Sequence, residues 1–171
     1  MKYETLQKLL KFSISKDETR PYLNGVYFDS KLEQAVSTDG YIMTVSKRLY
    51  VPEFADKIIN FNDMNVCDRE FLKYSSILPR KFEGEFMVTI PKADPIIKGK
   101  NERQYGFFLK KDQTWEIAIN PPQDIICKLN PHFLKPLQGL TIKVKYNGEL
   151  NPVVFELVED DTIYVVMPIK V

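Results

Sequence analysis

The residue types that do acid–base or nucleophilic chemistry are scarce in this chain of 171 residues, which has one histidine, His132, and two cysteines, Cys67 and Cys127. A serine or cysteine nucleophile needs a base within hydrogen-bond reach. His132 stands between Pro131 and Phe133 and reads as a surface or half-buried filler. With no Cys-x-x-Cys pair a zinc site is not expected, and the two cysteines read as reduced thiols of a soluble, cytoplasmic protein. Asp160-Asp161 and the set Asp63, Asp68 and Glu70 have the right chemistry for Mg²⁺. Paired acids in turns are more often solvated, so a metal-dependent nuclease on that set is only the enzymatic alternative. The seven glycines never take the spacing that cradles a phosphate. The expectation is a binding protein and no enzyme, with no cofactor and no metal.

Composition agrees with an ordinary globule. Hydrophobic residues make up 44% and charged residues 27%, and the net charge is +1. That balance excludes a histone-like polycation, though not a basic face gathered from a neutral total. Residues 1–50 carry eight basic and six acidic groups, a small excess that predicts weak non-specific affinity for DNA. No apolar run approaches the roughly 20 residues of a membrane span.

The elements that must position any site read as α+β. Leu6, Leu9 and Leu10 with Tyr3 mark one side of a helix over Tyr3–Ser13, with Glu4, Lys8 and Lys11 on the other. From Arg20 the period becomes two, predicting strands over 22–29, 31–36, 41–45 and 57–61. Asp68 caps a predicted helix that runs to Leu78 before Pro79. Strands are predicted over 85–90, 104–110, 114–119 and 124–129, with a short helical turn at 91–98. Pro121-Pro122 is the best internal break. Asn130 and Pro131 open a short helix that Pro136 should shorten or kink. Strands over 140–146 and 151–158 flank an Asn147-Gly148 turn, and a last strand covers 162–171.

Two segments carry a resemblance. Residues 20–43, Arg-Pro-Tyr-Leu-Asn-Gly-Val-Tyr-Phe-Asp and later Ala-Val-Ser-Thr-Asp-Gly-Tyr-Ile-Met, resemble the opening of the middle domain of the bacterial sliding clamp, the DNA polymerase III beta subunit. Residues 129–171, Leu-Asn-Pro-His-Phe-Leu-Lys-Pro-Leu followed by a terminal Tyr-Val-Val-Met-Pro-Ile-Lys-Val, resemble the end of its last domain. Ile90-Pro91-Lys92-Ala93 is similar to the start of a further half-unit. Together the two main segments cover a little over half the chain. Tyr41-Ile42 stands where the family has a polar and basic pair, and Pro136 falls in what should be an inner-face helix.

The resemblance implies a sliding-clamp-like α+β fold, with antiparallel sheets packed against short helices. It implies a single clamp-like domain with elaboration over 1–171, built of half-units at 1–62, 85–120 and 124–171. It also implies a hydrophobic pocket for partner peptides from Leu23, Thr38, Gly40, Tyr41, Ile42 and Met43, completed by Val165, Met167, Pro168, Ile169 and Lys170. Lys8, Lys11, Lys128 and Lys135 would face double-stranded DNA without reading its sequence. Partners would be DNA polymerase or clamp-loader peptides, in a homo-oligomer of bacterial or mobile-element origin serving replication or repair. The alternative is a clamp mimic that captures such peptides without encircling DNA.

Overall fold

The computed structural model describes residues 3–92, 106–118 and 120–169. Most of the helical turn expected over 91–98, the strand residues at 104–105, Ile119 and Lys170 lie outside them. The chain divides into two compact units, Met1–Leu78 with Leu157–Val165, and Pro79–Glu156 with Val166–Val171.

In the first unit, helix α1 (Tyr3–Phe12) buries Leu6, Leu9 and Leu10 against β2 (Gln34–Thr38) and β3 (Ile42–Ser46). Each leucine so buried is worth about 1.5–3 kcal/mol. The helix end is closed by hydroxyls. Ser37 donates to the Leu10 carbonyl at 2.8 Å, Thr44 to the Leu9 carbonyl at 3.1 Å, and Ser13 and Thr44 share a 2.7 Å hydrogen bond. These side chains satisfy carbonyls that a helix terminus otherwise leaves unpaired. The remaining strands are β1 (Val26–Asp29), β4 (Ile58–Asn60), β5 (Asn65–Cys67) and β12 (Thr162–Val166). Their order is β5-β4-β1-β2-β3-β12.

Two expectations are corrected here. The helix predicted over 68–78 is only a 3-10 turn at Tyr74–Ser76, because the segment is held by distant partners and not by its own backbone. Phe71 stacks on Tyr27 at 5.0 Å, and the Tyr74 hydroxyl donates to Asp29 at 2.6 Å. The strand predicted from residue 22 begins only at Val26, since Pro21–Leu23 forms a 3-10 turn.

The second unit holds a three-stranded sheet of β8 (Trp115–Ala118), β7 (Gly106–Lys110) and β9 (Ile125–Leu129). Its other strands run in the order β11 (Val153–Leu157), β10 (Thr141–Tyr146), β6 (Gly84–Thr89). Trp115 joins the two sets of strands, with Phe107 at 4.4 Å, Phe155 stacked at 6.4 Å and Phe86 at 6.4 Å. The Asn130 side chain accepts from the His132 amide at 2.9 Å, the predicted cap. The helix it opens is a 3-10 turn over Pro131–Leu137 with Pro136 inside it. The final strand stops at Val166 instead of running to 171, because Pro168 has no amide to donate to a ladder. Ile169 then pairs singly with Lys128, donating to its carbonyl at 2.8 Å. No helix among the described residues is long and apolar enough to cross a membrane.

Candidate peptide and DNA surfaces

The Thr-Asp-Gly turn is built by its own side chains. Thr38 donates through Oγ1 to the Ile42 carbonyl at 2.6 Å and accepts from the Gly40 amide at 3.0 Å. Asp39 Oδ1 accepts from the Tyr41 and Ile42 amides at 2.8 and 2.9 Å. Gly40 has φ of +97°, a conformation that costs other residues dearly. The turn therefore holds Tyr41 outward, 61% exposed, while Leu23, Ile42 and Met43 are buried.

Strand β12 lies beside β3 in the sheet order. Ser46 and Thr162 share a 2.7 Å hydrogen bond, and the Lys47 amide donates to the Asp161 carbonyl at 3.1 Å. The residue numbers run oppositely, so the strands are antiparallel, and counting back along them brings Met43 level with Val165. The two segments that carry the resemblance thus meet in the first unit. Met167 and Pro168 are half-buried and Ile169 is 37% exposed, all three in the second unit.

Arg20, at the head of the first segment, was not among the expected site residues. A side chain added at Gly40 would meet its guanidinium at 3.4 Å, so Arg20 lies beside the turn. Its Nε donates to Asp17 Oδ2 at 2.8 Å. Hydrogen bonds from Thr19, then from Arg20, hold the Asp17 carboxyl below its usual range. The signal in the sequence was its position opening Arg-Pro-Tyr-Leu-Asn-Gly.

The four lysines fall on different kinds of element. Lys8 and Lys11 are exposed on α1. Lys135 sits in the 3-10 turn of the second unit. Lys128 is on strand β9, not a helix, and its ammonium lies over the Phe108 ring at 5.6 Å. A basic surface made wholly of helices is therefore corrected for Lys128.

A separate cleft of about 400 Å³ in the first unit is lined by Tyr27, Asp29, Asp56, Glu70, Phe71 and Tyr74 among others. Its carboxylates are engaged. Asp29 accepts from Tyr74 and from the Lys31 and Leu32 amides, and Asp56 accepts from Ser30. Burial, then the charges of Asp29, Asp56 and Glu70, raise the Tyr27 phenol. No group of three His, Cys, Asp or Glu side chains among the described residues is placed to hold a metal ion. Asp63 is turned to Asn65, accepting from its side-chain amide at 2.8 Å.

No family model matches the chain, and no curated protein matches it in sequence. Solved structures do. The beta sliding clamp of Caulobacter crescentus matches over 98% of this chain and 62% of its own, with a TM-score of 0.70 and 17% identity. The fold is that of a sliding clamp. The clamp of Bartonella birtlesii, solved bound to griselimycin, gives 0.71 at 15% identity over 98% of this chain and 64% of that one. The Bacillus subtilis clamp gives 0.66 at 14% identity, over 98% and 62%. This chain thus spans under two-thirds of the sliding-clamp chains it matches. The α+β class, the antiparallel sheets and the short helices expected from the sequence are those of this fold.

Proposed function

We propose that this chain is a non-enzymatic, sliding-clamp-like accessory protein of DNA replication or repair that binds short peptides of polymerases or clamp loaders. The observation that carries this reading is the meeting of Met43 and Val165 on adjacent strands, beside a turn that presents Tyr41. Buried Leu23, Thr38, Ile42, Met43 and Val165 would form the floor, and Gly40 lets a peptide approach the backbone. Tyr41 and Arg20 would form the rim. The resemblance adds Met167, Pro168, Ile169 and Lys170, with Met167 a side chain that adapts to differing partners.

Calorimetry with a short clamp-binding peptide tests this. Tyr41→Ala should weaken binding about tenfold, the loss expected of an aromatic anchor worth ~1–2 kcal/mol. Its exposure means the unfolding midpoint should not move. No heat with the unaltered protein would sink the reading.

DNA contact is proposed through Lys8 and Lys11 of α1, with Lys128 and Lys135 as the resemblance assigns them. Two phosphate contacts per chain give a log–log salt slope of about −2. The doubly reversed variant Lys8→Glu, Lys11→Glu should flatten that slope and abolish association at low salt. Because Glu4 shares the exposed face of α1, the basic excess there is small. That favours a second reading, a clamp mimic that captures peptides without DNA. Peptide heat combined with DNA binding that ignores the double reversal would select it.

A further inference from the structure

We propose that strand β6 pairs antiparallel with the β6 of a second copy of this chain, about a two-fold axis at Met87. This stands apart from the peptide-binding reading and concerns the second unit alone. β6 ends the order β11-β10-β6, and among the described residues no strand lies beyond it. Its register against β10 pairs Gly84 with Tyr146 through to Thr89 with Thr141. One residue further on, the Ile90 amide donates to the Leu140 carbonyl at 2.9 Å.

Antiparallel ladders alternate, so that bond fixes which residues face inward. Gly84, Phe86 and Val88 direct their amides and carbonyls at β10. Glu85, Met87 and Thr89 direct theirs away from it. The 2.8 Å contact between the Thr89 and Thr141 hydroxyls agrees, because side chains approach most closely at pairs that share no backbone bonds. The outward residues are also the exposed ones, with Met87 60% accessible.

Exposed edges are normally guarded by proline, lysine, a bulge or shortness. β6 runs for six residues, Gly-Glu-Phe-Met-Val-Thr, and has none of these. By contrast β5, at the edge of the first unit's sheet, has three residues.

The sequence chooses the occupant and the register. With Met87 opposite the second copy's Met87, Glu85 meets Thr89 and Phe86 meets Val88, and about six backbone hydrogen bonds close. A register centred on Glu85 would oppose two carboxylates, which is unfavourable. One centred on Thr89 would set Met87 against Pro91, which has no amide. Only the Met87 register is free of both faults.

Sedimentation equilibrium of the full chain tests the proposal. A dimer is expected, and Met87→Lys, which opposes two ammonium groups at the axis, should raise its dissociation constant at least tenfold. Met87→Pro should do the same without costing a bond to β10, since the amide it removes points outward. Circular dichroism checks that each variant stays folded. As an independent readout, Met87→Cys in a Cys67→Ser background should form a disulfide-linked dimer under mild oxidation. The Cα separation of such a pair, about 5.5 Å, is within disulfide reach. A chain that stays monomeric at about 100 μM, or a dimer that survives Met87→Lys and does not cross-link at 87, overturns the proposal.

Discussion

Phe155→Ala is expected to destabilise the protein by about 3–5 kcal/mol, the cost of deleting a buried aromatic and leaving a cavity. Phe155 is fully buried on β11, with the Trp115 ring stacked at 6.4 Å. Trp115 also reaches Phe107 and Phe86, so the void opens where both sets of strands in the second unit meet. Proteins of this size have a total stability of roughly 5–15 kcal/mol, so the variant should unfold at much lower urea with a shifted tryptophan emission. A loss under about 1 kcal/mol would mean that the site collapses around the deletion, and this packing account would fail.

Gly25→Ala carries the second large effect, about 2–3 kcal/mol from overpacking. A methyl group at Gly25 would lie 2.6 Å from the Ile59 carbonyl oxygen and 2.8 Å from its carbon. Both are backbone atoms, so a side-chain rotation cannot relieve the clash. Val26 pairs with Ile59, so the clash falls where β1 and β4 join. The Leu-Asn-Gly motif therefore has a structural reason for its glycine apart from any partner. Thermal unfolding checks this, and an unchanged midpoint would show that β4 can move aside.

What was legible in the sequence was local. Alternation located the strands around Phe108, Val144 and Phe155, the leucine spacing located α1, and Asn130 announced its cap. Each depends on neighbours a few residues away. The segment around Phe71 and Tyr74 was misread as a helix because Tyr27, Asp29 and Gln34, which hold it, are some forty positions distant in sequence. The hydroxyl closure of α1 by Ser37 and Thr44 was invisible for the same reason. At the candidate site the Thr-Asp-Gly signature was seen, but its self-bonded geometry was not. Nor was Arg20 beside Gly40, since nothing in the spacing joins residues 20 and 40. The placement of Lys128 on a strand, by contrast, followed from the alternation already read over 124–129.

The Cys127 thiol is fully buried, and burial, then the charge of Glu149, pushes it up to about 12. Its thiolate is what reacts with alkylating agents, so in the native protein it is chemically silent. Cys67, on β5 in the other unit, is only half-buried. The molecule thus carries one built-in label for each half. The pace at which Cys127 takes up a mass tag becomes a clock for how often its own half breathes open, read without touching the other.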